Sequence, residues 1–419
     1  MKGNITITAC LLALLVGSTA WGQPAQVSTL DLSVDTLNAS GGMIMGPGGL
    51  LYVSNFVRID FSSAPGNVGS EIYRVNPADG SVELFADGFN GPFAMAFNHN
   101  GDLLVTNWHF GTVDEVSPAG GVSGFGTPGG IASGIAVAAD SSVLVAKCEP
   151  PADRGIVRFP PGSSIFAEFI DTSGIGCPLG LAFDEEGNLY VSFRGTPSVG
   201  GVIRKYGPDG SDLGVVASLA EILSFLNHIV YSPAANALYV TATLDHRVWK
   251  ITLDGTVSVL AGSGFPGTAD GAGTSASLTR PNGLALSVTG DTLYVNQTLS
   301  ETSANPNSIR MITGVLNADT SPVANEDGAE VPERFILEQN YPNPFNPATT
   351  IRFTLAQPQE VTLTVYDVYD REVATLLDGL RPAGTHEVVF DARALASGSY
   401  VYRLQAGSGV ATKIMTLLK

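Results

Sequence analysis

Short apolar runs separated by polar turns recur along most of the chain, and through residues 27–315 they form one unit repeated six times. Each unit has a small or proline-led start, an apolar run, a polar turn and an apolar triplet of Leu-Tyr-Val type. The clearest run from Gly91-Pro92-Phe93-Ala94-Met95-Ala96-Phe97 to Leu103-Leu104-Val105, from Cys177-Pro178-Leu179-Gly180-Leu181-Ala182-Phe183 to Leu189-Tyr190-Val191, and from Arg280-Pro281-Asn282-Gly283-Leu284-Ala285-Leu286 to Leu293-Tyr294-Val295. The middle residues of the six triplets are Tyr52, Leu104, Leu144, Tyr190, Tyr239 and Tyr294, at spacings of 52, 40, 46, 49 and 55. Such a period predicts one four-stranded propeller blade per repeat.

A third strand follows each triplet, as in Ile72-Tyr73-Arg74-Val75 or Val248-Trp249-Lys250-Ile251. The tight-hairpin dipeptide Asp-Gly comes next at 79–80, 209–210 and 254–255. Fourth strands such as Val82–Phe85 and Val257–Leu260 complete five repeats, and none follows Ile312. Val27–Leu32 has no repeat of its own, so it is expected to supply the outer strand of blade six and cover an open edge.

A different pattern begins at Asn340-Tyr341-Pro342-Asn343-Pro344-Phe345-Asn346-Pro347, where the prolines exclude helix. Six β-patterned runs then follow, at 349–355, 361–367, 372–377, 386–391, 400–405 and 412–418. They predict a small Ig-like antiparallel β-sandwich over residues 333–419. Residues 316–332 are polar and aperiodic, a linker where processing would occur. The chain is therefore read as all-β: signal peptide 1–22, six-bladed β-propeller 23–315, linker and sandwich.

The tail resembles the type IX secretion C-terminal sorting domain (type A). The resemblance rests on the string Tyr341, Pro342, Asn343, Pro344, Phe345, Asn346 and Pro347, on Val365-Tyr366-Asp367, Ala383-Gly384-Thr385-His386 and Leu395–Tyr400, and on the terminal segment from Lys413 to Lys419. It implies recognition by the type IX export machinery. The repeats resemble NHL-repeat propellers and the gluconolactonase-like (senescence-marker-protein-like) superfamily, most sharply from Ala261-Gly262-Ser263-Gly264 to Leu293-Tyr294-Val295. That resemblance implies either a binding surface or a metal-dependent hydrolase.

The amino terminus agrees with export. Lys2 precedes an apolar run from Ile5 to Val16 and small residues up to Ala20, a secretory signal peptide with cleavage expected after Gly22. It is too short for a membrane span, and no span is expected in the mature chain. The destination is the outside of the cell or its outer surface, by way of the periplasm. The formal charge of −18 sits in the repeats, because residues 331–419 carry eight Lys or Arg against nine Asp or Glu. An acidic body of this kind excludes nucleic acid as a partner. Two cysteines, Cys148 and Cys177, remain after the signal peptide. Their loops are expected on one face of neighbouring blades, which predicts a disulfide in an oxidising compartment.

Candidate chemistry gathers where the first strands begin, the upper face of a propeller. Neither aligned register there, Gly41, Phe93, Ser133, Leu179, Asn227 and Asn282 or Gly42, Ala94, Gly134, Gly180, His228 and Gly283, contains a carboxylate. A divalent cation, which the hydrolase alternative requires, needs anionic oxygens. There is no Gly-x-Ser-x-Gly, His-Glu-x-x-His or Cys-x-x-Cys motif. No catalytic, metal or cofactor residue is therefore assigned. Asn55, Phe93, Asn107, Trp108, His109, Arg194, Asn227, His228, His246 and Asn282 are expected to share the upper face and to suit a polar small molecule, glycan or protein. The alternative function is a metal-dependent lactonase.

Overall fold

The computed structural model describes residues 24–34, 37, 40–56, 69–149, 153–195, 200–219, 225–297, 308–316, 335–355, 357–367, 371–406 and 409–419. The expected signal peptide and nearly all of the expected linker fall outside these residues.

Six antiparallel sheets stand where the six repeats predicted them. Their first strands are Met43–Met45, Pro92–Phe97, Ala132–Val137, Cys177–Phe183, Leu226–Ser232 and Pro281–Leu286, and the first five sheets proceed outward in chain order. The second strands, which hold the Leu-Tyr-Val triplets, are Leu51–Ser54, Leu103–Asn107, Val143–Lys147, Leu189–Arg194, Ala237–Ala242 and Thr292–Gln297. They are buried along nearly their whole length, between neighbouring sheets on both faces. A strand buried on two faces gains from apolar residues at every position, so it reads as a continuous run rather than an alternation. Fourth strands such as Val122–Gly126 are largely exposed.

The sixth sheet runs Pro281–Leu286, Thr292–Gln297, Ser308–Thr313, then Gln26–Thr29 and a short fifth strand, Gly271–Ala272. Val27 lies opposite Ile312 and is buried with Leu293 and Leu284. The strand is shorter than the expected Val27–Leu32. After the Leu30 N–H reaches Ile309 O, the chain turns toward blade one, where the Ser33 N–H donates to Gly80 O. The short fifth strand was not expected. It belongs to the Gly-rich insertion 261–280, which Arg310 pins down by donating to Ser277 O and the Asp270 carboxylate. Cys148 and Cys177 are joined in a disulfide between blades three and four, with Cα atoms 4.5 Å apart.

The tail is a two-sheet sandwich. One sheet holds Phe335–Leu337, Ala348–Leu355 and Gly384–Asp391, and the other Glu372–Arg381, Gln359–Tyr366, Gly398–Ala406 and Gly409–Leu417. Ile351, Phe353, Leu363, Leu404 and Met415 fill the space between them. Phe335–Leu337 is a strand beyond the six expected, lying just ahead of the proline-rich string.

Candidate ligand site on the upper face of the channel

The upper end of the channel is built by one repeated position, the residue directly after each triplet. In most blades its side chain ties the strand beside it to the next blade. Thr106 Oγ1 accepts from Ala94 N and donates to Ser133 O, 2.7 Å away. Ser192 Oγ accepts from Gly180 N and donates to Asn227 O at 2.6 Å. Thr241 Oγ1 donates to Asn282 O, and Asn296 links Gly283 N in blade six to Gly41 O in blade one. Blade three has Ala146 here, and Ser133 Oγ bonds Pro178 O of blade four instead. In sequence the series Ser54, Thr106, Ala146, Ser192, Thr241, Asn296 shows as a polar residue directly after the apolar triplet in five of the six repeats.

Five of the six residues one step along the first strands are glycine or alanine: Gly42, Ala94, Gly134, Gly180 and Gly283. The sixth is His228, and its ring occupies the axis that the small residues leave open. Its Nε2 lies 3.2 Å from Phe93 O, across the ring of blades, and its imidazole packs 5.0 Å from the Phe93 ring. A Cβ on Gly42 would come within 3.0 Å of that same Nε2. Donation to a carbonyl requires the proton on Nε2, which leaves Nδ1 as an acceptor. Burial depresses the His228 pKa to about 4, so the ring is neutral at neutral pH.

Four of the ten expected site residues carry a buried acceptor that no hydrogen bond of good geometry satisfies among the described residues: Asn55 Oδ1, Asn227 Oδ1, Asn282 Oδ1 and His228 Nδ1, the last two lying against each other. They belong to blades five, six and one, which adjoin one another. The amide nitrogens of the three asparagines are all engaged, on Glu71, Thr243 and Ser40 O. The other six residues are committed to the fold. Asn107 accepts from Asn90 N and donates to Thr112 and Asp114. His246 Nδ1 accepts from Arg280 N. Arg194 lies over the Phe225 ring. Phe93, Trp108 and His109 pack around Phe56, with the His109 ring stacked on it at 6.0 Å.

These donors do not fit a divalent cation. Among the described residues no three His, Cys, Asp or Glu side chains lie close enough together to hold a metal. The nearby carboxylates are already bonded: Glu71 to Asn55, Asp114 to Asn107, and Asp245 to Arg247 and Trp249. Three neutral amide oxygens offer no charge to offset the desolvation of a dication.

Below His228 the first strands surround a cavity of about 380 Å³. At its upper end Phe93, Leu179, Asn227 and Asn282 are buried. Its lower end is bordered by half-buried Met45, Val137, Phe183, Tyr231 and Leu286.

In the tail, the proline-rich string clamps the last strand. Phe345 is buried, its N–H donates to Thr416 O, and its carbonyl accepts from Leu418 N. Asn343 Oδ1 accepts from Thr416 N. Lys419 Nζ donates to Arg393 O, Lys413 is half-buried on the final strand, and Tyr341 is 82 % exposed. The Tyr341–Pro342, Asn343–Pro344 and Asn346–Pro347 bonds are cis.

Residues 339–417 match the family described as the secretion system C-terminal sorting domain. No curated protein matches the chain. Solved structures align with it as folds. A gluconolactonase from Xanthomonas campestris is 16% identical with a TM-score of 0.50, over 69% of this chain and 89% of that one. A putative gluconolactonase is 15% identical with a TM-score of 0.50, over 73% and 97%. A Bacteroides thetaiotaomicron protein of unknown function is 15% identical with a TM-score of 0.53, over 70% and 76%. At such identities the likeness is one of fold alone. The tail of this chain is thus a type IX secretion system C-terminal sorting domain behind a β-propeller, and it directs the protein to secretion or the outer cell surface.

Proposed function

We propose that the protein is an exported binding protein that takes a hydroxyl-rich small molecule or glycan on the upper face of its propeller. The observation behind this reading is the four unpaired side-chain atoms at the upper ends of blades five, six and one, Asn55 Oδ1, Asn227 Oδ1, His228 Nδ1 and Asn282 Oδ1, which are all acceptors. An unmade hydrogen bond at a buried acceptor costs ~1–3 kcal/mol, and a ligand bearing O–H or N–H donors relieves that cost. Acceptors without a compensating cation favour a neutral polyol over an anion. The nearby carboxylates are bonded and no metal-ligating cluster occurs among the described residues, which gives a lactonase reaction no support here.

The test is a glycan and metabolite screen of the mature protein, followed by titration of any hit against a variant with Asn227→Ala and Asn282→Ala. Loss of two hydrogen bonds at ~1 kcal/mol each predicts binding weaker by roughly tenfold or more. Unchanged affinity in a variant with wild-type thermal stability would rule this site out. Asn55→Ala, on a different strand, gives an independent reading if the double variant does not fold.

A further inference from the structure

The cavity beneath His228 opens on the opposite face from the proposed polyol site, and its chemistry differs. Four of the first strands carry alanine two residues past the small residue at their upper end, Ala96, Ala136, Ala182 and Ala285, and all four line the cavity. Small side chains there leave the volume empty, and the remaining side chains of the wall are aliphatic or aromatic apart from His228 and Tyr231, with polar backbone between them. The His228 ring forms the floor, nine-tenths buried, with Nδ1 unpaired.

The turns that surround the opening, between the first and second strands, contain no Lys or Arg. They carry Asp102, Asp140, Asp184, Glu185, Glu186 and Asp291. Asp140 is neutralised by Arg158, and Asp184 lies 3.4 Å from Lys205. Glu185 and Glu186 form no ion pair among the described residues. They line a second hollow of about 370 Å³ between blades three and four, which shares Phe183 with the channel cavity. Their field reaches the rim: the Tyr231 hydroxyl is held above its ordinary pKa by burial and by Glu185, Glu186 and Asp184.

From this geometry we infer that the lower end of the channel is a second binding site, for a small cationic amphiphile. Its apolar body fills the alanine-lined cavity, and its ammonium lies against Glu185 and Glu186. A cavity of this volume, apolar with a few convergent polar groups, is within the usual range for a small-molecule site. An anion of the same shape meets the same walls and an opposing field.

Calorimetric titration of the mature protein with octyltrimethylammonium and with octyl sulfate tests this. The expected result is one cation bound per chain, about tenfold tighter than the sulfate, as two exposed charge pairs of up to ~1 kcal/mol each would give. Glu185→Gln with Glu186→Gln should bring the two affinities together, and both residues lie on an exposed turn, so folding is not at stake. Ala182→Leu should weaken both ligands by occupying the cavity. Failure of the cation to bind, equal affinity for the two probes, or a preference unchanged in the double glutamine variant would overturn the inference. Asn227→Ala and Asn282→Ala should leave these affinities unchanged, which keeps the two sites separable.

Discussion

His228 illustrates how one side chain closes a channel that five small residues would leave open. Its neutral ring satisfies Phe93 O through Nε2 and resists protonation because burial disfavours the charge. The sign of the pH effect follows. An unfolded chain takes up the proton near the ordinary value of 6.5, while the folded chain does so only near 4. Between these values the unfolded state binds more protons, so stability falls as pH drops from 6.5 to 4, by up to ~3 kcal/mol. Urea unfolding at pH 7 and pH 4.5 should show a smaller acid loss in His228→Phe than in wild type. Comparing the two proteins removes the contribution of carboxylates such as Asp184, which are themselves held below their usual range and lose stability in acid. An identical acid loss in both would mean that His228 is not buried neutral.

At the scale of elements, the second strands and the outer strand of blade six carry the clearest consequences. Each second strand is packed on both faces, and in four blades the polar residue after its triplet also bonds the next blade. The sheet of blade six instead takes its outer strand from residues ahead of blade one, with Val27 and Leu30 buried. Burial of two such side chains contributes about 3 kcal/mol or more. Removing residues 24–30 should therefore lower the thermal midpoint of the mature protein by several degrees. An unchanged midpoint would show that the strand contributes nothing to the propeller. The triplets were legible because a doubly buried strand demands apolar residues throughout. The end of this outer strand at Thr29 was not legible, because it depends on a contact between Ser33 and Gly80 that no local pattern encodes.

For the whole molecule, destination and task reside in different parts. The sorting domain has its own core, drawn from Ile351, Phe353, Leu363 and their neighbours. The acidic charge and both proposed sites belong to the propeller. A chain ending at residue 334 should consequently be retained within the cell envelope while its propeller folds, as fractionation and thermal unfolding of the retained protein would report. Appearance of the truncated protein in the medium at wild-type yield would separate export from the tail.

Repeat number, the sandwich, the disulfide-forming loops and the sorting string are all local or periodic features, so reading along the chain recovers them without coordinates. Which upper-face residues remain unspent is a different kind of fact. Asn107 and Asn282 look alike in sequence, both amides near a strand end. Only the packed blades decide that Asn107 uses its whole side chain on Asn90, Thr112 and Asp114 while Asn282 keeps Oδ1 unpaired. The cavity below His228 has the same origin. Its alanines are unremarkable one at a time and enclose a volume only when six strands surround one axis. Local propensity sets each strand; a hydrogen bond left over, or a space left empty, is a property of neighbours distant in sequence.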